Sequence, residues 1–250
     1  MADTRRSQIG LLLFPNLTQL DLTGPYEVFA RVREADVHLL WKTLDAVQAD
    51  SGLRLLPSRT LQDCPRLDVV CVPGGPGVDA LLSDRDVLVW LASAAENARF
   101  VVSVCTGSLL LGAAGLLEGR TAGSHWASRH MLSHFGATPS DARVVVDGNL
   151  ITGGGVTAGI DVALRVVAEL AGQAAAEAIQ LGMEYDPQPP FSAGSPRTAD
   201  PPLVAQVQQA MSERLARREE RVRAAGMALA ERPPSAIARP WNRAPGQARL

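Results

Sequence analysis

The chain has 250 residues, 46% of them hydrophobic, enough to bury one large core and at most a small appendage. A formal net charge of −2 gives no general attraction to nucleic acid or an anionic membrane, and three cysteines without a CxxC pair exclude a disulfide framework. The opening MADTRRSQ is polar and has no signal-peptide core, which points to a cytoplasmic protein.

In chain order, an apolar strand is predicted over 8–14, followed by the loop FPNLTQLDLTGPYEVF. Asp21 lies in that loop, and a helix is read from 26 to 32 with Pro25 at its start. Strands over 36–44, 53–56 and 67–72 follow, the last running into VPGGPG at 72–77; helices are predicted over 80–82 and 86–97. Residues 100–119, FVVSVCTGSLLLGAAGLLEG, change hydrophobic period midway, from a buried strand over 100–104 to a helix over 108–117. Beyond them lie a short strand or turn at 120–123, a helix over 127–135 and a hairpin of 142–147 with 149–152, closed by Asp147-Gly148. Helices over 157–170 and 173–184 complete an α/β domain spanning 1–185, its sheet mostly parallel with helices on both faces. Six prolines then mark a linker strap over 186–202. Leu203, Val204, Val207, Met211 and Leu215 trace one face of an amphipathic helix over 203–230, read as docking on the main domain or a twin subunit, and 231–250 read as a disordered tail.

Cys105 falls on the seam between strand and helix. A residue there stands clear of the sheet on a sharp turn, Gly107 lets the backbone turn tightly, and the helix that follows aims free N–H groups and its positive dipole end at the sulfur. This predicts a reactive cysteine biased toward thiolate. The plainer reading is an inert buried cysteine. A membrane span over 100–117 is excluded by its serines, threonine, glycines and change of period. Gly153-Gly154-Gly155 precedes a helix but lacks the lysine of a P-loop, so tight packing near the sheet edge is preferred to phosphate binding.

LDLTGP at 20–25, VPGGPG at 72–77, SVCTGSLLLGAAGLLEG at 103–119, HWAS at 125–128 and ITGGGVTAGID at 151–161 together resemble the PfpI/ThiJ superfamily, relatives of the class I glutamine amidotransferase domain. The resemblance is nearest the isonitrile-hydrating subgroup and covers 8 to about 195. It implies a flavodoxin-like sandwich, a homodimer, no metal or other cofactor, and a cysteine elbow with a nearby carboxyl. By motif the nucleophile is Cys105 and the carboxyl Asp21. Many peptidase-like and glyoxalase-like members have a histidine after the cysteine, whereas this chain has Thr106, as the hydratase subgroup does.

The implied substrate is a small-molecule isonitrile, R–N≡C. Its carbon would take a proton from Asp21 and the sulfur of Cys105, giving a thioimidate that water, positioned by Asp21 and Thr106, resolves to a formamide. Burial is expected to raise the Asp21 pKa. The backbone N–H groups of Gly74, Gly75 and Thr106 are expected to meet developing negative charge. From the residues alone, Asp21 reads equally as a turn or helix cap. His125 and Trp126 are pocket candidates, with His125 also open as a catalytic partner; Cys64, Cys71, His38, His130 and His134 read as structural. Rival functions are a glyoxalase or deglycase acting on reactive aldehydes, and a sensor domain related to AraC-type regulators. No helix-turn-helix pair is read after the strap.

Overall fold

Strands covered by helices on both faces need apolar residues at every position rather than at alternate ones. VVCV and FVVS meet that need, and every one of their residues is buried. In a computed structural model, which describes residues 5–231, the chain runs β1 (Ser7–Leu12), α1 (Gln19–Phe29), β2 (Ala35–Trp41), the small hairpin β3 (Val47–Gln48) and β4 (Arg54–Leu55), and β5 (Arg59–Thr60). It continues through β6 (Val69–Val72), α2 (Val78–Leu81), α3 (Arg85–Asn97), β7 (Phe100–Ser103), α4 (Gly107–Ala113) and β8 (Thr121–Ala122). A 3-10 helix (Arg129–Phe135), β9 (Thr138–Pro139), β10 (Val144–Asp147), β11 (Leu150–Gly153), α5 (Ala158–Ala171), α6 (Gln173–Gly182) and α7 (Pro201–Ala230) complete it.

The main sheet has seven strands in the order β10-β11-β7-β6-β1-β2-β5, parallel throughout except for edge strand β10. Its central five follow the flavodoxin-like order, in which the chain leaves β1 toward one edge and returns to its other side. The crevice between the carboxyl ends of β1 and β6 is therefore where loops diverge and ligands bind. Helices α1, α5 and α6 form one covering layer and α2, α3 and α4 the other. The core between them holds Leu11, Leu12, Phe14, Phe29, Leu91 and Leu109, each with no exposed surface. Burying one such side chain contributes about 2 kcal/mol.

Three sequence expectations are corrected. Asp21 lies in the first turn of α1 rather than in a loop, and Pro25 sits inside the helix instead of at its start. Gly24 and Pro25 take that place because they pack on α5, where a side chain at Gly159 would come within 3.0 Å of the proline ring. The helix after the elbow stops at Ala113, because Gly115 adopts a left-handed φ of 85° and ends it. Residues 129–135 wind as 3-10 rather than α-helix.

Helix α7 begins at Pro201 and docks by its second half: Arg218 and Val222 are buried, and Leu215, Ala225 and Leu229 pack against the core. Leu203 and Val207, at the start of the expected apolar stripe, remain 42% and 39% exposed. Apart from Glu231, the tail expected over 231–250 lies outside the described residues. No described helix is long and apolar enough to cross a membrane.

Candidate active site

After β7 the chain turns at Cys105, whose φ is 57°, a left-handed conformation that costs a residue with a side chain on the order of 1–2 kcal/mol. Hydrogen bonds from three directions hold the turn. The Cys105 N–H donates to the Gly154 carbonyl at 2.8 Å, and the Cys105 carbonyl accepts from Ser124 Oγ at 3.0 Å and Ser108 Oγ at 3.3 Å. Gly107 is needed because a Cβ there would lie 2.1 Å from the Val72 carbonyl oxygen, where the elbow crosses the end of β6. The expected nucleophile elbow is therefore present, with its sulfur at the carboxyl edge of the sheet.

Asp21 reaches the same place from α1 and has no exposed surface. Its Oδ2 accepts from the Gly74 N–H at 2.9 Å, whereas Oδ1 is buried and has no oxygen or nitrogen hydrogen-bond partner among the described residues. Thr106 caps α4, and its Oγ1 accepts from the Gly75 N–H at 3.0 Å while lying 3.4 Å from the Gly75 carbonyl oxygen. The N–H groups of Gly74 and Gly75, expected to face developing charge, are thus already engaged by Asp21 and Thr106. The Thr106 hydroxyl, expected to hold water, is turned to the Gly75 backbone. Backbone approach is close throughout: a Cβ at Gly74 would stand 2.5 Å from the Thr106 nitrogen and 2.9 Å from Asp21 Oδ2.

Burial dominates the protonation of the pair. It pushes the Asp21 carboxyl up to about 7, against opposing hydrogen bonds from Gly74 and the Cys105 thiol. Burial, and then the negative charge of Asp21, raise the Cys105 thiol far above its ordinary value, although the backbone N–H groups of Thr106 and Val156 pull the other way. The expected bias toward thiolate is therefore reversed at rest, because desolvation inside the sheet edge outweighs a short helix's dipole. Near neutral pH the sulfur keeps its proton beside a carboxyl that is about half ionised.

His125 has its hydrogen bond and its charge set by groups other than the thiol. It makes no hydrogen bond to Cys105 among the described residues, its Nδ1 accepts from the Ala127 N–H at 3.3 Å, and burial with the charges of Arg218 and Arg214 pushes its pKa down to about 4. Its ring lies 5.7 Å from that of Trp126. Trp126, Ser124, Gly154 and Gly155 line a cavity of about 170 Å³ beside the elbow, and the strap residues Ser195, Pro196 and Arg197 contribute to its wall. Cys71 is fully buried in β6 and pushed up to about 12; Cys64 is half-buried and pushed up to about 11, in both cases by desolvation first. His130 and His134 each stand 3.6 Å from the Glu219 carboxylate of α7. Among the described residues, no group of three or more His, Cys, Asp or Glu side chains is placed to hold a metal ion.

Sequence reasoning did not find Val156 or Ser124, nor the part played by Gly154. The signal for Gly154 and Val156 was the glycine run before a helix, preferred as tight packing but not connected to Cys105. The run brings Gly154 O and Val156 N–H against the two sides of the cysteine.

The sequence profile described as the DJ-1/PfpI family matches residues 7–169, which include Asp21, the elbow and the glycine run. The chain is 53% identical over 213 residues to isonitrile hydratase of Pseudomonas putida, covering 85% of this chain and 93% of that protein. It is 31% identical over 186 residues to the HTH-type transcriptional regulator GbdR of Pseudomonas aeruginosa, but spans only 50% of the regulator. Among solved structures, a THiJ/PfpI family protein from Pseudomonas syringae superimposes with a TM-score of 0.82 at 46% identity, covering 88% of this chain and 90% of the other. With the flavodoxin-like strand order and a cysteine elbow facing a buried carboxyl, the matches agree on one assignment: the chain belongs to the DJ-1/PfpI family.

Proposed function

We propose that this protein is an isonitrile hydratase, adding water to an organic isonitrile to give an N-substituted formamide through a covalent thioimidate on Cys105. The observation that carries the chemistry is the buried Asp21 carboxyl coupled to the Cys105 thiol on a left-handed elbow. Extensive similarity to the Pseudomonas putida hydratase supports isonitriles as the substrate class.

In the first step Asp21 accepts the thiol proton and delivers it to the terminal carbon of R–N≡C as sulfur bonds to the same carbon. The product is R–N=CH–S–Cys105, and Asp21 is again a carboxylate. Water then adds to that carbon, its oxygen forming the new C–O bond while Asp21 relays one of its protons to nitrogen. Collapse of R–NH–CH(OH)–S breaks the C–S bond and returns the hydroxyl proton to sulfur. The sum is R–NC plus water giving R–NH–CHO. The N–H groups of Thr106 and Val156 stabilise negative charge on sulfur as it forms and departs. Thr106 serves mainly as a brace between the elbow and Gly75, and the substituent R occupies the cavity beside Trp126.

The test is formation of N-substituted formamide from cyclohexyl and p-nitrophenyl isonitrile. Wild type should turn over both; Cys105→Ala should form none, and Asp21→Asn should lose a factor of about 100 or more in kcat. Full turnover by Cys105→Ala would refute the covalent route. Consumption of methylglyoxal in place of isonitrile would favour the aldehyde-processing alternative. The match to the transcriptional regulator favours a second reading, a ligand sensor, which would bind isonitriles without converting them. Our reading places the enzyme in the cytoplasm as a homodimer without a nucleic-acid partner, to be checked by cell fractionation, sedimentation and DNA-binding assays.

A further inference from the structure

Arg218 is only 4% exposed, although α7 is polar over much of its length. Its guanidinium enters the body of the protein and divides its donors among three acceptors. Nε meets Asp79 Oδ1 at 2.5 Å, Nη1 meets Ser128 Oγ at 3.3 Å, and Nη2 meets the Gly75 carbonyl oxygen at 3.3 Å. Arg221, one turn on, donates to the Asp79 carbonyl at 3.0 Å. Burying a guanidinium is costly, and an apolar side chain of similar volume would dock the helix as well or better. What the arginine adds is a directed contact to Gly75.

Gly75 also receives the Val78 N–H on the same carbonyl, at 3.3 Å from within its own turn, and Arg218 ties that turn to α7. The Gly75 φ of 131° is open to glycine alone, so nothing intrinsic to the residue fixes the peptide. Its N–H braces Thr106, and the N–H of Gly74 next to it holds Asp21 Oδ2. Two short links therefore join the guanidinium to both sides of the Asp21–Cys105 pair.

We propose that Arg218 is a positioning residue for the reaction at Cys105: by holding the Gly75 carbonyl it fixes the Gly74–Gly75 backbone that sets Asp21 and Thr106 against the sulfur. Helix α7 thereby supplies a part of the site that the α/β domain lacks. The inference rests on the reading of Asp21 and Cys105 as the reacting pair.

The test uses the full chain and two readouts, isonitrile turnover and alkylation of Cys105 by iodoacetamide from acid to alkaline pH. Alkylation needs no isonitrile, so it tests the positioning of the pair even if the substrate class is wrong. Arg218→Met should lower kcat by about tenfold or more with little change in KM and shift the pH profile of alkylation. Arg218→Lys, which keeps charge against Asp79 but loses the fork, should fall between. Arg218→Ala should regain activity in millimolar guanidinium. Val222→Ala weakens the same helix without touching Gly75 and should leave kcat and the alkylation profile of the folded protein unchanged. Wild-type kcat and alkylation in Arg218→Met or Arg218→Lys, an equal loss in Val222→Ala at the same folded fraction, or no response of Arg218→Ala to guanidinium would each overturn the proposal.

Discussion

A carboxyl pushed up to about 7 inside the fold makes Asp21 a source of pH dependence in both rate and stability. In the proposed mechanism the working pair carries one proton, on sulfur, with Asp21 ready to receive it. Below pH 7 a second proton occupies Asp21, so kcat is expected to rise about tenfold per pH unit up to neutrality and then level, the thiol holding its proton well beyond. Asp21→Asn should abolish that limb. For stability the sign is the opposite of a salt-bridged aspartate. The folded chain keeps a proton that the unfolded chain releases near pH 4, so folding weakens as pH rises from about 4 to about 7, by on the order of 4 kcal/mol in all. Urea unfolding should therefore show Asp21→Asn gaining on wild type across this range and keeping the gain at pH 8. Cys105, Thr106 and Gly107 were legible because a change of hydrophobic period marks the elbow. Asp21 needed the resemblance, since LDLTGP alone reads equally as a cap. The resting thiol was not legible, because a local sequence carries the helix dipole but not the desolvation that outweighs it.

Helix boundaries departed from expectation where tertiary contacts overrode local signals. Thr23-Gly24-Pro25 has the form of a helix start, yet α1 runs through it because these small residues let α5 approach. The same logic governs Gly226 in α7. A mid-helix glycine costs about 1 kcal/mol against alanine, but a Cβ there would lie 2.5 Å from the His134 carbonyl oxygen, a backbone atom that yields little. Gly226→Ala is therefore expected to destabilise despite its better propensity, lowering Tm by about 3 °C and speeding amide exchange in the last turns of α7. Thermal melts and hydrogen exchange would show both. The apolar stripe of α7 was legible as a stripe, but not that its first turns stay exposed while Arg218 is buried. Helical spacing puts position 218 on the stripe between Leu215 and Val222, but an arginine's charge argues for solvent, and only the placement of Asp79, Ser128 and Gly75 reverses that.

The whole molecule is the largely parallel α/β sheet that the alternation of strands and helices implied, in the flavodoxin-like order that the family resemblance implied, with the site at the divergence of β1 and β6. That much was legible because apolar strands between amphipathic helices leave few other topologies. The role of the C-terminal segment was legible only as docking, since contacts spanning 139 to 143 residues have no local signature. Truncation after Phe191 removes the strap residues that line the cavity beside Trp126 together with Arg218. It is expected to lower both Tm and kcat, and an unchanged melt with unchanged kinetics would contradict the part assigned to α7. Sedimentation of the same variant would show whether the exposed Leu203 and Val207 contribute to a dimer.

The position of Arg218 along the chain also sets a timetable. Asp21, the Gly74–Gly75 loop, Cys105 and Val156 all leave the ribosome before α7 is made, and the sheet that carries them is assembled from residues already translated. Arg218 then enters a loop whose surroundings exist, 143 residues after Gly75. On the proposed role of Arg218, synthesis thus separates building the scaffold from tuning it, and a nascent chain would hold its cysteine in place before the residue that steadies its surroundings arrives.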